Sequence, residues 1–196
     1  MSEAGSAGMV VVEGAKQSTW QPDKSETLAE ICSVRLAETL FGVPIRHILE
    51  IVGGARPEPV PLAPEFVGGL VHYRGDVLTT VSLRRLLGLA EREGSQDILV
   101  LEGEQGSFGL LMDAVGEVLT VSSKSFEPNP STLDERRRML FAGAYKLDGR
   151  LLVMLDPERL DPMRLDSIKL DWMKLDSMRP SSAHDVTASS DGMREE

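Results

Sequence analysis

The sequence is poor in the residues that cross-link or rigidify many small proteins. Its 196 residues include one cysteine, Cys32, and aromatic residues make up only 5%. A single cysteine excludes an internal disulfide and a multi-cysteine zinc site, and we expect Cys32 to be a buried apolar thiol. Because hydrophobic residues still reach 41%, the interior is predicted to be mainly aliphatic.

Positive charge is also scarce, since 21 lysines and arginines face 31 acidic residues and the formal net charge is −10. Nucleic-acid binding usually needs clustered positive charge, so this balance favours protein partners over nucleic acid. No apolar run approaches the roughly 18–20 residues that span a bilayer, and residues 1–27 have no basic leader before their short apolar run. The sequence therefore predicts a cytoplasmic protein without membrane insertion.

Motifs of catalysis and of cofactor or metal binding are missing as well. The chain contains no Walker loop, no GxSxG elbow and no GxGxxG fingerprint. His47 and His72 lie in predicted strands, His184 lies in the tail, and no histidine pair has the spacing of a helical metal site. We therefore predict no enzymatic activity, no cofactor and no metal. Because carboxylates are abundant, a small β-barrel enzyme or ligand-binding domain is the alternative from a different class.

What the chain does contain is a series of short apolar segments separated by glycine-containing turns. Residues 31–36 alternate apolar and polar side chains as a half-buried strand does, and Pro44 in the longer run 41–52 suits a strand edge or bulge. Asp148-Gly149 is predicted to form a type I′ hairpin turn, because both residues tolerate a positive φ. The other predicted strand pairs are 66–73 with 77–83, and 97–103 with 107–115. Such a pattern predicts small barrels or a sandwich.

Two short helices are predicted beside the strands. Residues 82–89 begin with Ser82 as an N-cap and stop at Gly88. Residues 131–141 begin with a capping-box pattern from Ser131 to Asp134. The acidic stretch 90–96 lies near the middle of the chain and is placed to separate two β units.

The most regular feature is the repeat LDPERLDPMRLDSIKLDWMKLDSMR at residues 155–179. Five residues advance about 140° on an α-helix, and an odd period alternates faces in a strand, so neither element keeps the leucines on one side. The first unit is predicted to end the last strand. Residues 159–196 are predicted to be a disordered extension that adds nothing to the core, with a partner-binding segment using Leu, Met and Trp172 as the alternative.

Residues 66–89, FVGGLVHYRGDVLTTVSLRRLLGL, resemble a signature of the CheW-like domain, the coupling module of bacterial chemosensory arrays. Three other segments are similar to stretches of that family in the same order: FGVPIRHILEI at 41–51, FGLLMDAVGEVL at 108–119 and FAGAYKLDGRLLVMLDPERL at 141–160. The resemblance implies an all-β domain over residues 28–158. Its expected architecture is two small five-stranded SH3-like β-barrel subdomains around a shared core, with short helices and a flexible segment 1–27 before it.

The resemblance implies a non-enzymatic scaffold or adaptor. Members of the family dock onto the regulatory domain of a CheA-type histidine kinase and onto the cytoplasmic tip of chemoreceptors. Binding both allows receptor signals to change autophosphorylation of the kinase. An adaptor of a chemosensory pathway unrelated to motility is the alternative within this class.

The resemblance also indicates which residues bind partners. Arg74 matches the arginine of the family's Arg-Gly turn, and Glu50 matches the glutamate of its Glu-Ile stretch. Tyr73 is a candidate because an amphipathic ring suits an interface. Further candidates, for which core packing is the favoured explanation, are Ile48, Ile51, Gly69 and Val115. His72-Tyr73 replaces the usual Asn-Leu and Ser82 replaces an aspartate, so partner specificity is expected to differ from that of a standard adaptor.

Overall fold

A computed structural model describes residues 28–166, which form eleven strands and a few short helical segments. The expectations for residues 1–27 and 167–196 lie outside the described residues. The strands are β1 Leu28–Leu36, β2 Thr39–Pro44, β3 Ile48–Ala55, β4 Val67–Tyr73, β5 Asp76–Ser82, β6 Gln96–Gly103, β7 Gly106–Met112, β8 Ala114–Ser122, β9 Phe126–Pro128, β10 Phe141–Leu147 and β11 Arg150–Leu155. The helices are α1 Leu83–Leu86 and α2 Glu135–Leu140, with 3-10 turns at Ile45–His47, Ser123–Ser125 and Pro157–Leu160.

The strands form two sheets, each belonging to one barrel-like subdomain. The first sheet has the order β8-β1-β2-β11-β10-β9, and the second has the order β3-β6-β7-β5-β4. Most pairs are antiparallel, whereas β2 with β11 and β5 with β7 are parallel. The all-β, two-subdomain fold is confirmed. The first sheet has one strand more than expected, because the three-residue β9 pairs with β10.

The second sheet is an insertion into the first, since it contains every strand from β3 to β7. The expectation that residues 90–96 separate the two β units is therefore wrong: this stretch connects α1 to β6 within the second sheet. The chain instead crosses between sheets after Pro44, which ends β2, and again near Asp113, between β7 and β8. Pro44 has no backbone N–H for a sheet ladder, which explains why the apolar run 41–52 is split there.

Apolar side chains form three clusters, one inside each subdomain and a larger shared cluster between the sheets. Strand β6 contributes to two of them: Ile98 and Val100 pack inside the second subdomain, while Leu99 and Leu101 pack in the shared cluster. Because both faces of β6 are buried, its sequence is continuously apolar. Cys32 is 1% exposed in the shared cluster, so the expected buried thiol is confirmed, and burial raises its pKa.

The three predicted hairpin turns are present, and the backbone conformation of the one at Asp148-Gly149 differs from expectation. At Asp148-Gly149 only Gly149 has a positive φ, 71°, so the predicted type I′ turn is wrong. In the turn between β4 and β5, Arg74 has φ 51° and Gly75 has φ 92°. A left-handed conformation costs a non-glycine residue about 1 kcal/mol. Arg74 is therefore held in a conformation that its own side chain disfavours.

The helices begin at capping residues, one of which differs from expectation. Ser82 caps α1, as predicted, through a hydrogen bond of 3.3 Å from Arg85 N to Ser82 Oγ. The N-cap of α2 is Asp134, which accepts a bond of 3.0 Å from Arg137 N. The prediction of Ser131 as cap is wrong, because the Asp134 carboxylate lies three residues before that free N–H and satisfies it directly.

The chain remains packed against the subdomains beyond residue 158. Leu160 is 0% exposed and Leu165 is 1% exposed, and both belong to the shared cluster. Asp161 is also buried. The predicted boundary at residue 158 is thus too early, and the expectation that residues 159–166 add nothing to the core is wrong. A short turn lies between each of these leucines and the one before it, and it directs the leucine inward. Neither a continuous helix nor a strand has such turns.

A largely buried ion pair links the two sheets. Arg84 of α1 donates from Nε to Asp113 Oδ1 at 2.7 Å and from Nη2 to Asp113 Oδ2 at 2.6 Å. Ala37 N, in the turn between β1 and β2, also donates to Asp113 Oδ2, at 2.8 Å. The side chains of Arg84 and Asp113 are 12% and 6% exposed. This two-pronged, charge-assisted contact holds the second sheet against the first.

Replacing Asp113 with asparagine is expected to lower the free energy of unfolding by about 3 kcal/mol, because the Arg84 guanidinium loses its carboxylate. Hydrogen bonds from Arg84 lower the pKa of Asp113 in the folded protein. Its stabilisation is therefore present above the unfolded pKa of about 4 and is lost as the pH falls through the lower folded pKa. Urea unfolding should show a large deficit at neutral pH that shrinks below about pH 3. A deficit that is equal at neutral pH and below about pH 3 would contradict this account. Glu93→Gln, at an exposed position, is the control, and the same deficit in that variant would also contradict it.

Replacing Tyr145 with phenylalanine is expected to leave the melting temperature unchanged or raise it. Tyr145 is 0% exposed, and its hydroxyl has no hydrogen-bond partner within residues 28–166. An unpaired buried hydroxyl costs free energy that phenylalanine does not incur. The edge-to-face contact with Phe126, at 5.2 Å between ring centroids, is retained. A fall of more than about 3 °C in calorimetry would indicate a lost hydrogen bond.

Candidate partner-binding site

Three of the predicted site residues contact one another at the turn between β4 and β5. Arg74 Nη2 lies 2.6 Å from Glu50 Oε2 on β3. Tyr73 donates from its hydroxyl to the same Glu50 Oε2, also at 2.6 Å. The Arg74 guanidinium carbon lies 5.3 Å from the centre of the Tyr73 ring, within the range of a cation–π contact. We call Glu50, Tyr73 and Arg74 the polar cluster.

The polar cluster is partly exposed, and its contacts orient side chains more than they stabilise the fold. The side chain of Arg74 is 71% exposed and that of Glu50 is 36% exposed. Exposed ion pairs of this kind contribute between about 0 and 1 kcal/mol. The hydrogen bond to Glu50, followed by desolvation, raises the pKa of the Tyr73 phenol, while the charge of Arg74 opposes this rise. Glu50 thus orients both the Tyr73 hydroxyl and the Arg74 guanidinium, whose remaining donors are available to a partner.

An apolar cavity of about 530 Å³ begins at Tyr73 and lies between β3 and β4, the two edge strands of the second sheet. Its apolar lining residues are Val52, Ala55, Leu70, Val71, Val77, Leu78 and Ile98, and its polar ones are Arg56, Glu58 and His72. Leu78 and Ile98 also belong to the core of that subdomain. At this opening, Glu58 in the segment after β3 pairs with Leu70 of β4 through two backbone hydrogen bonds of 2.8 Å. The cavity is thus the open side of the barrel.

The outward face of β3 is apolar as well. Burial alternates along the strand, with Ile48, Glu50 and Val52 half-buried and their neighbours exposed. Leu49 and Ile51 are 51% and 50% exposed. Exposed apolar side chains next to a polar cluster are typical of an interaction surface.

The other predicted site residues lie in different surroundings. Ile48 and Val115 are half-buried against the shared cluster, and Gly69 is buried. Gly69 has φ 137°, and a Cβ there would lie 2.5 Å from the carbonyl oxygen of Glu58. Packing thus accounts for these three positions, as the sequence favoured, whereas Ile51 is exposed on the surface beside Glu50.

Asp97, at the junction of the subdomains, was not singled out by the sequence. It accepts hydrogen bonds from Gly54 N at 3.2 Å and from Val115 N at 2.9 Å, so it joins β3 of the second sheet to β8 of the first. Nothing near Asp97 in the sequence identifies it, because both partners are backbone groups brought in by the fold. The cavity was also missed. Leu49 and Ile51 lie two residues apart and therefore on one face of a strand. Apolar residues on the exposed face were the signal in the sequence that could have indicated an interaction surface.

Residues 28–166 also bear on two other kinds of site, metal sites and membrane spans. No group of three or more histidine, cysteine or acidic side chains in this range is arranged to hold a metal ion. No helix among these residues is long and apolar enough to cross a membrane. Of the two departures from the family pattern, His72 lines the cavity and Ser82 caps α1.

Comparison with known proteins agrees with this architecture. The CheW-like domain family matches residues 30–162. The chemotaxis protein CheW of Rhizobium meliloti (strain 1021) is 32% identical over 129 residues, which are 65% of this chain and 83% of that protein. The chemotaxis protein CheW of Helicobacter pylori is 28% identical over 148 residues, covering 74% of this chain and 88% of that protein. The structure of the scaffolding protein TtCheW from Thermoanaerobacter tengcongensis matches with a TM-score of 0.60 at 29% identity, covering 67% of this chain and 91% of that one.

Two β-barrel subdomains that share an apolar core are the architecture of a scaffold of the CheW type. The chain belongs to the CheW-like domain family.

Replacing Glu50 with alanine is expected to lower the pKa of Tyr73 toward its ordinary value of about 10, because the acceptor of its proton and a nearby negative charge are both removed. The sequence has two tyrosines. Ultraviolet titration in a Tyr145→Phe background therefore reports on Tyr73 alone. Glu58→Ala, which removes a carboxylate from the cavity rim, is the matched control and should leave the titration unchanged. If Glu50→Ala also leaves it unchanged, the hydrogen bond between Tyr73 and Glu50 is not formed in solution.

Proposed function

We propose that this chain is a cytoplasmic, non-enzymatic adaptor that couples chemoreceptors to a CheA-type histidine kinase. The observation that carries the proposal is the family match over residues 30–162, which includes every strand of both subdomains except the first two residues of β1. The likeness to the scaffolding protein TtCheW supports it. Our proposed partners are the regulatory domain of the kinase and the cytoplasmic tip of the receptor.

The polar cluster and the outward face of β3 are the surface we assign to partner binding. Arg74 lies on a tight turn with positive φ at both central residues, so its guanidinium projects from a fixed backbone. Glu50 holds one end of it, which reduces the conformational entropy that a partner must restrict on binding. Leu49 and Ile51 add apolar area beside these charges. An apolar centre with a charged rim is the usual composition of a protein interface.

Ile48, Gly69 and Val115 support this surface indirectly. Each lies where a larger or smaller side chain would move a neighbouring strand: Gly69 lies against the carbonyl of Glu58, and Ile48 and Val115 pack on the shared cluster. We propose that substitutions at these three positions weaken partner binding by displacing β3 or β4. The direct contacts are assigned to Arg74, Tyr73, Glu50 and Ile51.

Reversing the charge of Arg74, as Arg74→Glu, is expected to weaken binding to at least one of the two partners by about tenfold or more, since it also places two acidic residues side by side. The fold should be retained, because the pair with Glu50 is exposed and contributes little to stability. Isothermal titration of the full chain against the cognate kinase regulatory domain and receptor tip measures the effect, with circular dichroism as the check on folding.

Arg150→Glu is the matched control, since Arg150 is also exposed and lies beside a hairpin turn, but in the first sheet. It should bind both partners like the wild type. Equal binding by Arg74→Glu and wild type would remove Arg74 from the surface. Failure of the wild type to bind either partner would overturn the adaptor function itself.

A further inference from the structure

The Leu-Asp repeat, whose first three of five units start at Leu155, Leu160 and Leu165, is not accounted for by the proposed function. In the first unit, Asp156 Oδ1 accepts a hydrogen bond from the backbone N–H of Glu158 at 3.2 Å. The carbonyl of Asp156 accepts bonds from Arg159 N at 3.1 Å and Leu160 N at 3.3 Å. One helical turn, capped by the aspartate, thus connects one leucine to the next.

The second unit repeats this hydrogen-bond pattern. Asp161 Oδ1 accepts from Met163 N at 2.8 Å. The carbonyl of Asp161 accepts from Arg164 N at 3.0 Å and from Leu165 N at 2.9 Å. Each partner lies at the same offset as in the first unit, so the sequence repeat is also a structural repeat.

This geometry explains how a period of five keeps the leucines on one side. Leu155 and Leu160 are 0% exposed and Leu165 is 1% exposed, and all three belong to the shared cluster. A continuous helix rotates successive leucines around its axis. A chain that restarts at Asp156 and again at Asp161 does not accumulate that rotation, so these three leucines all face the core.

The second unit also contacts the turn between β6 and β7 at two points. Asp161 Oδ2 accepts a hydrogen bond from Glu104 N at 2.7 Å, and Arg164 Nε donates to Glu104 Oε1 at 2.8 Å. A Cβ at Gly103 would lie 2.5 Å from Asp161 Oδ2, so glycine is required for this close approach. Gly103, Glu104 and the leucine positions of the shared cluster thus form a docking site that uses the leucine, the aspartate and the basic residue of one unit.

We propose that this docking site recognises the sequence Leu-Asp-x-x-Arg/Lys, and that the tandem units are interchangeable ligands for it. The units LDSIK, LDWMK and LDSMR at residues 165–179 carry the same three residue types at the same spacing. The prolines are absent from these later units, but a proline has no backbone N–H that could donate to the site. A lysine in the position of Arg164 still places a positive charge beside the Glu104 carboxylate, although its ammonium group lacks the planar, two-pronged geometry of a guanidinium.

A variant lacking residues 160–164 tests the proposal, because it places Leu165, Asp166 and Lys169 where Leu160, Asp161 and Arg164 were. A variant lacking residues 161–164 is the matched control, since it is longer by one residue but puts a leucine in the position of the aspartate cap. We expect the first variant to melt within about 2 °C of the wild type and the second to melt at least about 4 °C lower.

The alanine substitution Asp166→Ala shows which unit occupies the site. In the wild type Asp166 is exposed, so the substitution should be close to neutral. In the variant lacking residues 160–164 the same substitution removes the proposed cap, and we expect a further fall of about 2–4 °C. Hydrogen exchange of the Glu104 amide should be slow in the wild type, in Asp166→Ala and in the in-register variant. It should be fast in the variant lacking residues 161–164 and in the in-register variant that also carries Asp166→Ala.

Three results would overturn the proposal. One is equal destabilisation by the in-register and out-of-register deletions. Another is an effect of Asp166→Ala that is the same with and without residues 160–164. The third is a melting temperature of the in-register variant that depends on protein concentration, since docking would then occur between molecules and not within one chain.

Discussion

The shared apolar cluster between the two sheets is the constraint on which the rest of the structure depends. It requires strands such as β6 to be apolar on both faces, with Leu99 and Leu101 facing the other sheet and Ile98 and Val100 facing their own subdomain. It also places the Arg84–Asp113 pair in a largely water-excluded position, where its two hydrogen bonds hold α1 against the junction. Neither small subdomain has a core of comparable size by itself, so each relies on the other for burial.

The polar cluster follows from this arrangement. Glu50 lies on β3 and contacts Tyr73 and Arg74 at the end of β4, the other edge strand of the same sheet. Asp97 fixes β3 relative to β8 through backbone hydrogen bonds. The contacts of Asp97 thus determine the path of β3, and Glu50 on β3 determines the orientation of the Arg74 side chain. Under the proposed adaptor function such rigid positioning favours binding, since less conformational entropy is lost when a partner docks.

The Leu-Asp repeat shows how a correct periodicity argument can lead to a wrong structural expectation. Neither a continuous helix nor a strand keeps residues spaced by five on one side. The structure uses neither, because Asp156 and Asp161 each cap a separate turn. The cap was visible in the sequence as aspartate before proline, a pattern typical of a helix start. The sequence did not show that the leucine after each turn packs against an apolar surface.

Except for β9 and most of β8, the sequence by itself determined the strands, and it also determined the hairpins at residues 74–75 and 148–149, the cap at Ser82 and the family resemblance that named Arg74 and Glu50. These features depend on neighbouring residues, whose conformational preferences are encoded locally. Tertiary structure alone decided that Tyr73 and Glu50 would share a hydrogen bond, that Asp97 would join two sheets, and that Leu160 and Leu165 would complete the core. Each of these contacts joins groups far apart in the chain, and no pattern along the sequence records the distance between them.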